Sequence, residues 1–180
     1  MTAWWQDPVK QLDAAARAAA GERQNRLTKP PGSLGRLEEI ALDLAAMQGR
    51  DKPFIARPSI TLFAGDHGVV AESVAAFPQA VTQQMLANFV TGGAAISILA
   101  KALGARLEVV DVGTLAAEPV AGVVAAQAGR GTANLARHEA MNRAQFDHCL
   151  EQGRLAVQRA MDDDADLFIG GEMGIGNTTP

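Results

Sequence analysis

Two short and almost wholly apolar runs, each ending in a glycine-bearing loop, constrain the fold of this chain more than any other feature. The first run is Ser59–Ala64, which is followed by Gly65–Gly68, and the second is Asp166–Gly170, which is followed by a glycine- and threonine-rich run to Thr179. Runs this short and this apolar are typical of strands that are buried on both faces. The sequence therefore predicts two buried strands that each deliver a loop at their carboxyl end.

Helical patterns lie between these strands along the chain. We predict helices over 7–27, 37–47, 78–90, 93–103 and 143–161, and further strands over 107–112 and, more weakly, 120–126. Asp7 stands at the N-cap position of the first helix, and Asn142 with Gln145 forms a capping-box pattern before the last. Strands that alternate with helices form parallel sheets. The sequence therefore predicts an α/β fold, with a helical segment over 1–50 and the sheet within 51–180.

Composition narrows the class of protein further. The chain has 180 residues, of which 48% are hydrophobic and 20% charged, so it can bury a core. Its net charge of −4 and its scattered basic residues argue against nucleic-acid binding. The single cysteine, Cys149, excludes an internal disulfide and a cysteine-rich zinc site. Since no membrane span and no secretory signal are evident in the sequence, we expect a cytoplasmic protein that does not enter a membrane.

The glycine- and threonine-rich run after the last strand is the first candidate site. Ligands of open α/β sheets bind beyond the carboxyl ends of the strands. Glycines allow a ligand to approach the backbone closely, hydroxyl groups can donate to phosphate oxygens, and a helix beginning near Asn177 would favour an anion. The run matches neither the P-loop nor the dinucleotide-binding fingerprint. Taken alone, it fits a plain glycine-rich turn equally well.

Glu172 favours the binding interpretation of this run. A carboxylate is a poor choice for a plain turn, but it could orient a ribose hydroxyl or a protonated ring nitrogen. A loop of this kind normally leads into a helix, whereas the sequence stops at Pro180. We therefore expect that the 180 residues are a truncated part of a longer enzyme.

The loop after the first strand is the second candidate site. Asp66 and His67 could act as an acid and base, as metal ligands, or as a pair that shapes the loop. We favour the loop-shaping role over the metal site, because the other two histidines, His138 and His148, lie in polar, helical surroundings. Further along, Phe77, Pro78 and Met85 could line an apolar pocket, although such residues at helical spacing more often belong to a core.

Five motifs, taken together, resemble the nicotinate-nucleotide–dimethylbenzimidazole phosphoribosyltransferase family. They are Leu27–Glu38, Gly65–Val69, Pro78 with Val81-Thr82, Asp111–Gly113 and Gly171–Pro180, and they follow in the family's order over nearly the whole chain. The resemblance implies a Rossmann-like parallel sheet, a smaller helical domain built from both chain ends, and a homodimer. It also implies that no metal and no cofactor take part.

The resemblance implies a reaction as well. The family transfers the phosphoribosyl group of nicotinate mononucleotide to 5,6-dimethylbenzimidazole, which gives α-ribazole 5′-phosphate and nicotinate. The product becomes the lower nucleotide loop of cobalamin. Two alternatives stay open: a relative that uses another base or a phenol as acceptor, and a nucleotide-binding fragment without catalytic activity.

Carried over by position, the resemblance assigns roles to individual residues. Glu172 would be an accessory acidic group at the reacting centre, while the principal general base, a glutamate late in the family's sequence, would lie beyond Pro180. We therefore expect the 180-residue chain alone to be inactive. The ribose and phosphate would be held by Gly174, Ile175, Gly176, Asn177, Thr178 and Thr179, and the base would lie near Asp66, His67, Phe77, Pro78 and Met85. Phe77 and Met85 replace a small polar residue and an amide of the family pattern, which makes the base site more apolar.

Overall fold

The structure is a computed structural model that describes residues 4–179, so that residues 1–3 and Pro180, the last residue of the final motif, lie outside the described part. The chain forms two compact units, one up to Phe54 and one from Ile55 onward. The sequence predicted this boundary between residues 50 and 51.

The first unit is a pair of helices. They are α1 (Ala14–Gln24) and α2 (Arg36–Gln48), and a short 3-10 turn at Trp4–Gln6 precedes them. The buried side chains of both helices are alanines, namely Ala16, Ala20, Ala45 and Ala46. Because alanine side chains are small, the two helices can approach each other closely.

The predicted start of the first helix at Asp7 was wrong. The N–H group of Asp7 donates to the carbonyl oxygen of Trp4 at 3.1 Å and closes the 3-10 turn. Asp13 is the N-cap instead, since its carboxylate accepts the N–H group of Ala16 at 2.9 Å. Asp7 followed by proline is the stronger local pattern, so the sequence alone favoured the wrong aspartate.

An ion pair holds the segment between α1 and α2. The ammonium nitrogen of Lys29 lies 2.6 Å from Oε1 of Glu38, and the same oxygen accepts the N–H group of Leu34 at 3.2 Å. The two side chains are only 13% and 18% exposed. The hydrogen bond from Lys29, followed by that from Leu34, holds the pKa of Glu38 below its usual range. These polar residues of the first motif therefore have a structural role within their own unit.

The second unit is built on a sheet of four parallel strands. In chain order they are β1 (Pro58–Gly65), β2 (Arg106–Gly113), β3 (Val124–Ala125) and β4 (Leu167–Met173), and their order in the sheet is β3-β2-β1-β4. The predicted α/β fold with a parallel sheet is confirmed. The third strand is shorter than predicted, with two residues.

Three helices connect the strands. They are α3 (Ala80–Thr91) and α4 (Ala95–Leu103) between β1 and β2, and α5 (Arg143–Asp162) before β4. The predicted capping box of α5 is confirmed, because Asn142 and Gln145 each accept the backbone N–H group of the other. The core between α3, α4 and the sheet consists of Leu62, Ala64, Leu86, Phe89, Ala94 and Val109.

One stretch of the described chain resembles a membrane span by composition, although the sequence was expected to contain none. The stretch Ala80–Leu103 is 24 residues long, and an 18-residue window within it has a mean hydropathy of 1.5. The stretch contains α3 and α4, however, and these are separated by residues 92–94, of which Gly92 has a left-handed φ of 86°. A membrane span needs about 20 continuous helical residues, whereas α3 has 12 and α4 has 9. Its composition is therefore a weak indication of a membrane span.

Candidate functional site

The loops that follow β1, β2 and β4 lie next to each other because these strands are parallel neighbours. Ala64 of β1 is paired with Met173 of β4, and Gly65 is paired with Gly113 of β2. The loop that begins at Asp66 therefore lies between the loop after β2 and the glycine- and threonine-rich loop Gly174–Thr179, which we call the GT loop. The two candidate loops of the sequence are brought together at one edge of the sheet.

Asp66 is buried among these loops and is fully hydrogen bonded. The residue is only 2% exposed. One carboxylate oxygen accepts the hydroxyl group of Thr82 at 2.7 Å, and the other accepts the N–H group of Leu115 at 2.9 Å. Its backbone N–H group donates to Gly113, and its carbonyl oxygen accepts the N–H group of Thr132, each at 3.0 Å. These contacts favour the loop-shaping role of Asp66.

His67 lies beside the GT loop. A Cβ atom added to Gly176 would lie 3.9 Å from the Cβ atom of His67. The carbonyl oxygen of His67 accepts the side-chain amide of Gln79 at 3.1 Å, so its backbone is fixed against the start of α3. Within residues 4–179, no three or more histidine, cysteine, aspartate or glutamate side chains converge to hold a metal ion.

Glycine is required at two positions of the GT loop. A side chain at Gly174 would overlap the carbonyl oxygen of Gly65, so the loop passes against the backbone of β1. Gly176 has a φ of 93°, in the left-handed region that favours glycine, and a Cβ atom there would lie 2.7 Å from a methyl group of Val70. The glycines therefore allow the loop to pass close to the sheet edge, where a larger residue would clash.

The GT loop forms tight turns up to Thr179, the last residue that the structure describes. Two backbone hydrogen bonds join Asn177 to Gly174 at 3.1 Å and Thr179 to Gly176 at 3.2 Å. The N–H group of Ile175 donates to the hydroxyl oxygen of Thr82 at 3.1 Å. The N–H groups of Gly176 and Thr178, by contrast, donate to no other described residue. The loop therefore keeps free donors of the kind that bind anions.

Glu172 stands at the base of this loop. It is the penultimate residue of β4, opposite Phe63, and it is exposed. Its carboxylate accepts the side-chain amide of Asn177. The side-chain oxygen of Asn177 is buried and has no partner among the described residues. A carboxylate and an orphaned amide oxygen thus lie next to the free backbone donors.

A pocket of about 250 Å³ connects the GT loop to Phe77. It is lined by Val74, Ala75, Ala76 and Phe77 on one side and by Gly174, Ile175, Gly176, Thr178 and Thr179 on the other. Phe77 is 65% exposed, so its ring is available at the pocket. The structure therefore places Phe77 beside the predicted nucleotide-binding residues.

The other two residues considered for an apolar pocket lie outside its lining. Pro78 is exposed ahead of α3, and its carbonyl oxygen accepts the N–H group of Val81 at 3.0 Å. Met85 packs against the hydrophobic core, and its sulfur accepts the amide of Asn88 at 3.8 Å. For Met85 this geometry favours the core interpretation that the sequence left open.

Thr82 is the residue at this edge to which the sequence gave no role. It belongs to the buried face of α3 together with Leu86 and Phe89. A polar residue at a buried helical position needs hydrogen-bond partners, since burial without them is costly. Thr82 precedes Leu86 by four positions, which places both residues on one face of a helix. This spacing could have identified Thr82 as a buried polar residue from the sequence.

Comparisons with known proteins point to one family. A family model described as phosphoribosyltransferase matches residues 9–180. The nicotinate-nucleotide–dimethylbenzimidazole phosphoribosyltransferase of Ectopseudomonas mendocina is 59% identical over 177 residues, which are 98% of this chain and 50% of the relative. The protein of the same name from Pseudomonas aeruginosa strain UCBPP-PA14 is 58% identical with the same coverage.

A solved structure is similar as well. The crystal structure of nicotinate-nucleotide-dimethylbenzimidazole phosphoribosyltransferase from Thermus thermophilus superposes with a TM-score of 0.87 at 47% sequence identity. The match covers 93% of this chain and 51% of that one. The chain therefore spans about half the length of the relatives that it matches.

Proposed function

This chain belongs to the phosphoribosyltransferase family that residues 9–180 match, and we propose that it serves phosphoribosyl transfer from nicotinate mononucleotide to 5,6-dimethylbenzimidazole. The products would be α-ribazole 5′-phosphate, for the lower ligand of cobalamin, and nicotinate. The observation that carries the proposal is the geometry of the GT loop. Its glycines let it pass close against β1, and it presents free backbone donors at the carboxyl edge of a parallel sheet.

The GT loop would bind the phosphate and the ribose. A phosphate group needs several convergent donors, and the N–H groups of Gly176 and Thr178 supply two of them. The residues Thr178 and Thr179, which carry hydroxyl groups, are exposed at the same pocket. Glu172 lies at the strand end behind them, where its carboxylate would accept a ribose hydroxyl.

The chemistry requires one bond to form, one to break and one proton to move. A nitrogen of the benzimidazole attacks C1′ of the ribose, while the bond from C1′ to the pyridinium nitrogen of nicotinate breaks and its electron pair returns to that ring. The benzimidazole N–H proton passes to a carboxylate, the general base. Glu172 would stabilise positive charge that develops on the ribose.

We assign the principal general base to the part of the family's sequence that this chain does not span. The 180-residue chain would then bind the nucleotide with negligible turnover. Phe77 would offer its exposed ring to the acceptor base, since aromatic rings stack on one another, while Asp66 and His67 would shape the loop beneath. The apolar ring of Phe77 favours apolar acceptors, so transfer to another base or to a phenol is the alternative function.

We also propose that the protein acts in the cytoplasm as a homodimer. Large apolar side chains that are more than half exposed, such as Leu103 at 71% and Leu99 at 59%, support burial against a second copy.

Calorimetry with nicotinate mononucleotide tests the proposal directly. We expect saturable binding to the 180-residue chain, and no binding would contradict the proposal.

Incubation with both substrates would yield α-ribazole 5′-phosphate with the Ectopseudomonas mendocina relative but not with this chain. Comparable rates of the two proteins would overturn the assignment of the general base. Titration of this chain with a panel of benzimidazoles, adenine and phenols would show which acceptor it binds.

A further inference from the structure

We propose that Thr82 is the positioning residue of the GT loop, and that its hydroxyl group sets the affinity of the loop for a phosphate-bearing ligand. The second part of this inference rests on the proposed function; the first part concerns the free chain alone.

The hydroxyl group of Thr82 is enclosed completely. The residue is 0% exposed, in the first turn of α3, on the face that also carries Leu86 and Phe89. A hydroxyl group loses its water on burial, so it is tolerated only where hydrogen bonds replace the water. Both of its capacities, to donate and to accept, are met here.

The direction of these two hydrogen bonds follows from the chemistry of the partners. An ionised carboxylate can only accept, so the hydroxyl group donates its proton to Asp66, at 2.7 Å. A backbone N–H group can only donate, so the hydroxyl oxygen accepts from Ile175, at 3.1 Å. One hydroxyl group therefore joins the end of β1, the start of α3 and the GT loop.

The carboxylate of Asp66 strengthens both links. Hydrogen bonds to a charged acceptor are stronger than those between neutral groups, and a hydroxyl group that donates to a charge becomes a better acceptor. The second oxygen of Asp66 is held by the N–H group of Leu115 at 2.9 Å, so the carboxylate cannot turn away. The chain of contacts runs from the loop after β2, through Asp66 and Thr82, to the GT loop.

Ile175 lies at the point of the GT loop where its position matters most. It stands between Gly174, which passes against the carbonyl oxygen of Gly65, and Gly176, whose backbone is left-handed. Glycines make a loop easy to bend in either direction, so a hydrogen bond between them selects one path. The free N–H groups of Gly176 and Thr178 follow directly, and their direction depends on that path.

Two substitutions separate the hydroxyl group from the volume of the side chain. Thr82→Val keeps the shape and removes the hydroxyl group, whereas Thr82→Ser keeps the hydroxyl group and removes a methyl group. Thr91→Val is the matched control, because the hydroxyl group of Thr91 bonds within its own helix, to Ala87 at 2.9 Å and Asn88 at 3.4 Å.

Amide hydrogen exchange of the free chain, measured by NMR, is the first readout. In the unsubstituted chain we expect Ile175 to exchange at least tenfold more slowly, relative to its intrinsic rate, than Gly176 and Thr178. Thr82→Val would abolish this protection, while Thr82→Ser and Thr91→Val would keep it within about threefold. An unprotected Ile175 in the unsubstituted chain would overturn the inference without any variant, even if Thr82→Val failed to fold.

Binding of nicotinate mononucleotide and of nicotinate riboside, which lacks the phosphate, is the second readout. Thr82→Val would weaken binding of the nucleotide at least tenfold and of the riboside less than threefold, and Thr82→Ser would restore nucleotide binding. A variant series in which Val binds like Thr and Ser does not would show a packing role and overturn the inference. If the unsubstituted chain binds no nucleotide, the proposed function fails, while the exchange measurement still decides the position of the loop.

Discussion

Single aspartates at the strand ends organise the loops of the candidate site. Asp66 after β1 bonds Thr82 and Leu115. Asp111 near the end of β2 accepts the N–H groups of Gly113 at 3.0 Å and Thr114 at 2.8 Å, together with the side-chain amide of Gln127 at 2.7 Å. Both residues are buried, at 2% and 5% exposure. Their charges are thus compensated by donors of the protein, which suits them to shaping the site.

A substitution of Gly174 tests the close approach of the GT loop to the backbone of β1. We expect Gly174→Ala to destabilise the chain by about 1–3 kcal/mol, because the new methyl group must displace backbone of β1. It would also weaken nicotinate mononucleotide binding at least tenfold, as measured by calorimetry. Gly170→Ala, in the strand that leads into the loop, is the control, since a Cβ atom there meets nothing within 4 Å. Equal behaviour of the two variants would refute the close approach.

Glu38 gives a prediction for the dependence of stability on pH. Its pKa in the folded chain lies below the usual value of 4.5, mainly because Lys29 donates to it. A carboxyl group with a lowered pKa stabilises the fold fully above its unfolded pKa and loses this contribution as the pH falls through the folded pKa. Glu38→Gln should therefore lower the melting temperature at pH 7, and the difference from the unsubstituted chain should shrink below about pH 4.5. A difference that stays constant down to about pH 3 would speak against the ion pair.

At the scale of elements, a bidentate ion pair links α5 to the sheet. Arg159 donates to both carboxylate oxygens of Glu108 on β2, each at 2.8 Å, and the side chain of Glu108 is 9% exposed. The hydrogen bonds to Glu108 raise the pKa of Arg159 above its usual value. The helix that precedes β4 is thereby held in register with the sheet.

The interior of α5 offers a stabilising change. Gly153 lies in the middle of this 20-residue helix, and a Cβ atom there meets nothing within 4 Å. Gly153→Ala should raise the free energy of unfolding by about 0.5–1 kcal/mol, because alanine loses less backbone freedom on folding. Gly49→Ala should have the opposite sign, since Gly49 ends α2 with a left-handed φ of 64°. Chemical denaturation of both variants checks the pair of signs.

The sequence predicted most elements because local pattern and burial agree in them. The strand β1 is mostly apolar and is buried over most of its length, and α5 begins with a capping box, so each is defined by its own residues. Two elements depended on more distant contacts. The start of α1 was predicted at Asp7, whereas Asp13 is the N-cap, and β3 keeps only the two residues that pair with β2.

The candidate site was predicted as far as its loops, but not in its connections. The loops after β1 and β4 follow from glycine-bearing ends of apolar strands. The link through Thr82 joins residues that are 16 and 93 positions apart in the chain, and sequence spacing carries no signal for such contacts. For Met85 the sequence left two interpretations open, because an apolar residue at helical spacing fits a pocket and a core equally well. The packing places it against the core.

At the scale of the whole molecule, exposed apolar side chains are the feature with the broadest consequence. Ile98 and Leu99 of α4 are each 59% exposed, and Leu103 is 71% exposed. Apolar surface of this kind favours association. We therefore expect the 180-residue chain to form oligomers or aggregates, and static light scattering across a dilution series checks it. A single monomeric species at every concentration would contradict the expectation, and Leu103→Lys should reduce the apparent mass.

The central claim is that the GT loop binds a sugar phosphate at the carboxyl edge of the sheet, and one titration tests it most directly. The ¹⁵N-labelled chain is titrated with nicotinate mononucleotide while its backbone amide resonances are followed by NMR. We expect the resonances of Gly174 through Thr179 to shift and to saturate together, with the largest shifts at Gly176 and Thr178. Saturating shifts confined to other residues, with those of the GT loop unchanged, would contradict the claim.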